Sequence, residues 1–229
     1  LADYARAAGS TAGDGDAEPV IAGLLVKLAK VISGARAVWT TPIEGDVQRI
    51  FFANHTSHLD FIVVWSALPP AMRSRTRPVA GRDYWMKGRV RRYLSSKMFK
   101  GILIERTPSS ASAEEKRIAA RVAIESMAAE MGKEYSLIVF PEGTRGTGDE
   151  IAPFKSGLYH LCKLKPGVQL VPVYLDNMNR ILPKGETLPV PMLSRVVFGE
   201  PMEMRREEGK EAFLERARSA VEKLRENHG

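Results

Sequence analysis

His55 and Asp60 are a pair of residues whose types and spacing suit acid–base chemistry. They form an N-H-x4-D pattern within residues 54–60, directly after the apolar run Ile50–Ala53. A histidine can accept a proton near neutral pH, and a neighbouring carboxylate can orient its ring and stabilise the charged form. The pattern therefore indicates a general base, His55, oriented by Asp60.

A structural role is the alternative for the same residues. Ser57 and Asp60 fit the capping box S/T-x-x-D/E, in which a hydroxyl and a carboxylate satisfy free amides of a first helical turn. Under this interpretation Asp60 only caps a helix, and His55 is a polar loop residue without a reactive role.

Two further polar groups follow apolar runs. Residues 136–140 have the composition of a buried strand and lead into the sequence PEGTRG at 141–146. The proline ends the strand, the glycines let main-chain amides approach a ligand, and Arg145 offers a planar guanidinium suited to phosphate. The apolar run 101–104 ends in Glu105 and Arg106. We interpret these groups as parts of an anion site.

Strands and helices alternate along the chain, which predicts an α/β fold, namely a single domain with a largely parallel central sheet flanked by helices. In such sheets ligands bind beyond the carboxyl ends of the strands, where the three polar groups are expected. The predicted strands are 50–53, 77–81, 101–104, 136–140, 168–175 and 193–199. The predicted helices are 58–67, 84–97, 112–132, 155–164 and 207–226.

On these motifs the chain resembles the glycerolipid acyltransferase superfamily, whose best-known members convert lysophosphatidate to phosphatidate. His55 and Asp60 match the H-x4-D pair of that family. Residues 101–106 resemble its G-x-x-x-[DE]-R block, 140–145 reproduce F-P-E-G-T-R, and 171–173 resemble its V-P-V block. The blocks agree in order and spacing over residues 45 to 176.

The resemblance implies an O-acyltransferase that moves a fatty acyl group from acyl-CoA or an acyl carrier protein to a lysophospholipid hydroxyl, with lysophosphatidate as the foremost acceptor. No cofactor and no metal are expected. Lys87 resembles a lysine that the family places between its first two blocks, although the accompanying proline is absent here. The other positions that the family associates with acceptor binding correspond to Arg106, Glu142, Gly143, Thr144 and Arg145.

Ester formation from an alcohol and a thioester requires a base for the alcohol proton and donors for the oxyanion. His55 would take the proton of the attacking alcohol, so no enzyme nucleophile is required. Backbone amides near Gly143 or in the turn 54–57 are candidate donors to the oxyanion. Cys162, the single cysteine, is interpreted as a small core residue.

The N-terminal part of the chain is interpreted separately. Residues 1–18 are predicted to be a flexible leader, 19–40 an amphipathic helix, and 41–229 the acyltransferase domain. Lys27, Lys30 and Arg36 interrupt the apolar residues of the helix, so a transmembrane span is not expected. Because family members commonly carry a membrane-associated N-terminal segment, the resemblance favours a peripheral membrane protein at the cytoplasmic face.

The charge of the chain favours anionic partners. Its 229 residues carry a formal net charge of +7, and several cations cluster between Lys87 and Lys100. An anionic membrane surface, the phosphates of CoA or an acidic carrier protein would suit this charge. No nucleic-acid motif is visible, so nucleic acid is not expected as a partner. The alternative function is a basic lipid-surface or nucleic-acid binding module without catalysis.

Overall fold

A computed structural model describes residues 34–43, 45, 47–57, 59–105, 107–108, 110–148, 150–176 and 194–228, together with Gly23 and Lys27. The strands are β1 Arg36–Trp39, β2 Arg49–Ala53, β3 Thr76–Gly81, β4 Ile102–Ile104, β5 Ser136–Val139, β6 Gln169–Asp176 and β7 Arg195–Phe198. The helices are α1 Asp60–Ala67, α2 Pro70–Ser74, α3 Arg82–Trp85, α4 Arg89–Tyr93, α5 Ala113–Met131, α6 Gly157–Leu164 and α7 Lys210–His228. A π-helical turn, Leu94–Met98, follows α4.

The seven strands form one sheet in the order β1-β7-β6-β2-β5-β3-β4. Every neighbouring pair is parallel except β6 and β7, which are antiparallel. The carboxyl ends of β2, β3, β4, β5 and β6 therefore lie at one edge of the sheet, which we call the carboxyl edge. The predicted α/β domain with a largely parallel sheet is confirmed.

Strand β2 lies inside the sheet, and all five of its residues are buried. Because side chains alternate between the two faces of a strand, Ile50 and Phe52 join one core cluster while Phe51 and Ala53 join the other. Helices α5, α6 and α7 complete the first cluster, and α1 packs in the second. The sheet is thus covered by helices on both faces.

The predicted helix 19–40 is wrong at its C-terminal end. Gly23 and Lys27 are helical and the other residues before Gly34 lie outside the described part of the chain, whereas Arg36–Trp39 is strand β1. Gly34 has a φ of +53°, which is incompatible with a helix continuing to Trp39. Trp39 instead stacks on Phe198 of β7, with ring centroids 3.9 Å apart.

The predicted helix 84–97 is also corrected, because the segment consists of α3, α4 and the π-helical turn. Gly88, between α3 and α4, has a φ of +87° and separates them. Helix α2 was not predicted. The predicted helix 112–132 is present as α5, and Ser112 and Glu115 form a capping box at its start. None of the helices in the described ranges is long and apolar enough to cross a bilayer.

Candidate active site

Two neighbouring strands bring the first and second polar groups together. Phe52 of β2 is paired with Val139 of β5, so the loops that follow these strands leave the carboxyl edge side by side. The ring of His55 stacks on that of Phe140 with centroids 4.4 Å apart. The two polar motifs, distant in sequence, therefore form one site.

Asp60 holds the imidazole of His55 in a fixed orientation. Oδ2 of Asp60 lies 2.9 Å from His55 Nδ1 and also accepts hydrogen bonds from the backbone N–H groups of Thr56 and Ser57, at 2.7 and 2.9 Å. The Asp60 side chain is fully buried, whereas that of His55 is 18% exposed. Because Nδ1 is engaged by the carboxylate, Nε2 is the ring nitrogen left for a substrate.

The capping interpretation of this motif is half right. Asp60 accepts the Ser57 amide, as a capping box requires, but the N-cap of α1 is Leu59 and has no side-chain cap. The same carboxylate oxygen also orients His55. Oδ1 of Asp60 is buried without a hydrogen-bond partner among the described residues, and such a group is uncommon in native proteins.

Hydrogen bonds to the side chain of Glu142 connect the loop after β5 to the loop after β2. This side chain is buried, and its oxygens accept the backbone N–H groups of His55 at 2.7 Å and Ala152 at 3.2 Å. In return, the N–H of Gly146 donates to the carbonyl of His55 at 2.8 Å. Each oxygen of Glu142 thus accepts one backbone N–H, and the predicted role of Glu142 in acceptor binding stays a prediction.

Asn54 fastens the same loop to the other neighbour of β2. Its amide nitrogen donates to the carbonyl of Leu175 at 3.0 Å, and its oxygen accepts the Leu175 N–H at 2.8 Å. These buried bonds continue the pairing of β2 with β6 beyond the end of β2. His55 thus leaves the sheet from a backbone that is held on both sides.

An apolar cavity of about 300 Å³ opens beside His55. That volume lies at the small end of the range for ligand sites in proteins. Its walls include Val79, Ala80, Trp85, Met127, Leu158 and Leu161. The cavity is therefore mainly apolar, and the imidazole of His55 forms part of its wall.

The remaining predicted residues fall in three places. Gly143 lines the cavity with a φ of +70°, Thr144 is exposed, and Arg145 is half-buried on the same loop. Lys87 lies in an exposed turn after α3 and does not line the cavity. Arg106 lies outside the described residues, so its role stays a prediction.

Lys155 is a cavity residue that the sequence analysis missed. The stretch around it, Phe154-Lys155-Ser156-Gly157, follows the loop 141–146 that the sequence predicts to bind an anion, but it carries no pattern that points to His55. The sequence signal that could have indicated Lys155 is a basic residue that follows the glycine-containing loop 141–146. Cys162, in contrast, is a buried core residue as predicted, and burial raises the pKa of its thiol to about 12, so it is not a reactive nucleophile.

A sequence model of the acyltransferase family matches residues 40–176, a range that contains all four motifs. The chain belongs to this family. A 1-acyl-sn-glycerol-3-phosphate acyltransferase from Limnanthes alba is 28% identical over 177 residues, covering 70% of this chain and 56% of the relative. The protein of that name from Escherichia coli (strain K12) is 27% identical over 154 residues, covering 62% and 54%.

The chain thus spans about half the length of these curated relatives. Among solved structures, the 1-acyl-sn-glycerophosphate (LPA) acyltransferase PlsC of Thermotoga maritima superposes with a TM-score of 0.65 at 20% identity. The superposition covers 93% of this chain and 82% of the other. This likeness supports the fold of the acyltransferase domain.

Glu142→Gln tests the fastening of the two loops. A carboxamide has one acceptor oxygen, so one of the two backbone N–H groups loses its partner, and we expect the free energy of unfolding to fall by about 1–3 kcal/mol. Burial, the largest effect, raises the pKa of Glu142, although the amides of His55 and Ala152 oppose the shift. The folded state then binds the proton more tightly, and the stability of the wild type falls as pH rises from the ordinary glutamate pKa through the raised value.

Urea unfolding at a series of pH values measures this effect. The stability difference between wild type and Glu142→Gln should be largest below the ordinary glutamate pKa and should shrink as pH rises. Glu226→Gln, at an exposed position of α7, serves as the control and should change little. A difference that does not vary with pH would show that Glu142 titrates alike in the folded and unfolded states.

Proposed function

We propose that this protein is an O-acyltransferase that moves a fatty acyl group from an acyl thioester to the hydroxyl of lysophosphatidate, giving phosphatidate. The observation that carries the proposal is the His55 imidazole, held on a buried carboxylate in the wall of a mainly apolar cavity. The relatives named 1-acyl-sn-glycerol-3-phosphate acyltransferase support the choice of acceptor. A binding module would not need an oriented base at this place.

The geometry fits direct transfer between the two substrates. Nε2 of His55 takes the proton of the acceptor hydroxyl as its oxygen attacks the thioester carbon. The tetrahedral intermediate then breaks its C–S bond, and the imidazolium returns the proton to the departing sulfur. Asp60 stabilises the imidazolium and keeps Nδ1 protonated throughout. The products are an ester and a free thiol, and no acyl-enzyme is formed.

The apolar cavity suits the acyl chain of the donor. Its walls carry mainly aliphatic and aromatic side chains, so burial of methylene groups there contributes about 0.8 kcal/mol each. A chain in the cavity places its carbonyl at the mouth, beside His55. The donor is acyl-CoA or an acyl carrier protein, and no cofactor takes part.

Arg145 suits the phosphate of the acceptor. It lies two residues after Gly143, which lines the cavity, and its guanidinium has no ion-pair partner within the described ranges. A guanidinium binds a phosphate through two parallel hydrogen bonds, which fixes orientation as well as position. Arg106 and Lys87 are proposed to assist it on the basis of the motif alone.

The cations that follow α3 suit an anionic membrane surface. Lys87, Arg89 and Arg92 are exposed, and they come directly after Trp85, which lines the cavity. Both α3 and the cavity lie at the carboxyl edge of the sheet. A peripheral position of the protein on anionic lipid, at the cytoplasmic face, would turn the cavity mouth towards its lipid substrates.

His55→Ala tests the reaction itself. Purified wild type, supplied with an acyl-CoA and lysophosphatidate, should release free thiol and form phosphatidate. His55→Ala should lower turnover by at least about 10², the usual contribution of a general base. Asp60→Asn should have a milder effect, because its amide oxygen still accepts the two backbone N–H groups. Thiol release and thermal unfolding are measured on each variant.

His160→Ala is the matched control, since His160 is exposed on α6 and does not line the cavity. It should keep wild-type turnover. A folded His55→Ala protein with full activity would remove His55 from the mechanism. A wild type that releases no thiol with any lysolipid would favour the non-catalytic binding module.

Arg145→Gln tests the binding of the acceptor phosphate. The substitution should raise the KM for lysophosphatidate about tenfold or more while the donor KM changes little, because the lost contact is made to the acceptor alone. Arg206→Gln, at an exposed position before α7, is the control. Equal increases in both KM values, or a loss of thermal stability without a kinetic effect, would contradict the assignment.

Charge reversal tests the membrane surface. The double variant Arg89→Glu/Arg92→Glu should bind vesicles of anionic phospholipid at least about tenfold more weakly at low salt, since each cation near such a surface contributes about 1 kcal/mol. The wild-type affinity should fall as salt rises. Lys133→Glu/Arg206→Glu changes the same charge at the opposite edge of the sheet and should bind normally. Equal losses in both double variants would refute a specific face.

A further inference from the structure

Lys155 occupies the space that a side chain at residue 143 would need. A Cβ placed on Gly143 would lie 2.7 Å from Nζ of Lys155 and 2.9 Å from its Cδ. The backbone N–H of Lys155 donates to the carbonyl of Pro141 at 2.9 Å, which holds the start of this side chain beside the loop. The positive φ of residue 143 favours glycine, and the absence of a side chain there leaves room for Lys155 in its observed position.

Lys155 brings a cationic side chain to the wall of a mainly apolar cavity, and this residue is exposed. Among the described residues that line the cavity, Lys155 is the one lysine or arginine, and His55 lines the same cavity. Within the described part of the chain its ammonium has no hydrogen bond and no ion pair. The charge is therefore available to a substrate at the cavity mouth.

Four of the backbone amides that the sequence indicates as candidate oxyanion donors already have acceptors in the folded protein. The N–H groups of Thr56 and Ser57 donate to Asp60, and that of His55 donates to Glu142. The N–H of Gly143 donates to the carbonyl of Phe140 at 3.0 Å. Acyl transfer places a negative charge on the thioester oxygen, and the amides of residues 55–57 could bind it only by giving up contacts that hold the His55 loop.

We propose that the ammonium of Lys155 stabilises the oxyanion of the tetrahedral intermediate, an inference that rests on the acyl transfer proposed above. As the acceptor oxygen bonds to the thioester carbon, the carbonyl electron pair moves to oxygen, and His55 receives the hydroxyl proton. When the C–S bond breaks, the pair returns and the imidazolium protonates the sulfur. Lys155 keeps its proton in every step.

The apolar walls make this charge effective. A fixed cation close to developing negative charge stabilises it more strongly where water is excluded than in solution. The acyl chain in the cavity and the acceptor at its mouth would both displace water from around Nζ. Lys155 is then a catalytic residue, and its removal acts on turnover rather than on substrate binding.

Lys155→Met removes the charge and keeps most of the side-chain length. We expect kcat to fall by about 10²–10³, the usual loss for one oxyanion donor, while the KM values for lysophosphatidate and acyl-CoA change less than about twofold. Lys133→Met removes a charge at an exposed position before β5 and should keep the wild-type kcat. Thermal unfolding is measured on both variants.

Chemical restoration separates the charge from the fold. Lys155→Cys, treated with 2-bromoethylamine, regains an ammonium on a side chain of nearly the original length, and most of kcat should return. Treatment with iodoacetamide adds a neutral group and should restore nothing. Only the introduced thiol reacts, because Cys162 is buried and burial raises its thiol pKa to about 12.

Three outcomes would overturn the inference. They are an unchanged kcat in Lys155→Met, a raised KM for lysophosphatidate with kcat unchanged, and equal recovery with both reagents. The second outcome would make Lys155 a phosphate-binding residue. If the wild type transfers acyl groups and these results appear, the inference fails alone. If the wild type transfers no acyl group, the proposed function fails and the inference fails with it.

Discussion

The burial of the Asp60 carboxylate is the constraint on which the site depends. A buried charge is costly unless hydrogen bonds compensate it, and one oxygen of Asp60 meets three nitrogens, from His55, Thr56 and Ser57. Residues 55–57 must therefore curl around the first residue of α1. This curl points Nδ1 of the imidazole inward and leaves Nε2 facing outward. The orientation of the base is thus a consequence of solvating a buried charge with the protein's own amides.

The loop after β5 also contains a buried carboxylate that accepts hydrogen bonds from backbone amides. Glu142 is buried and takes its compensation from the amides of His55 and Ala152, so its charge is satisfied only if both loops keep their positions. The pairing of β2 with β5 sets the distance that makes these bonds possible. A slip of one residue in this pairing would turn every side chain of β2 to the other face and separate the loops. Sheet register and catalytic geometry are therefore coupled.

Local patterns in the sequence were sufficient for part of this arrangement. The alternation of elements predicted the parallel sheet, and the N-H-x4-D spacing predicted a His55–Asp60 contact, since both depend on residues close in the chain. The partner of Glu142 lies 87 residues away, and no local pattern can indicate it. The same reason explains why Lys155 was missed, because only the fold shows that its side chain passes beside Gly143 and lines the cavity with His55. Residues 36–39 form a short, mainly apolar segment whose pattern fits a helix and a strand equally well. Pairing with β7 in the folded protein makes this segment a strand.

Besides binding the acyl chain of the donor, the proposed site must keep water away from the base. An imidazole that activates an alcohol would activate water equally well, and hydrolysis of the thioester would waste the donor. The proposed reaction has no covalent acyl intermediate that could wait for the acceptor, so in that reaction the alcohol must already be in place when His55 acts. With Nδ1 on a buried carboxylate and the ring packed on Phe140, His55 is 18% exposed and is reached chiefly through the mouth. An acceptor bound beside His55 would displace the water that could otherwise react. Binding of the acceptor alcohol would therefore also exclude water from the base.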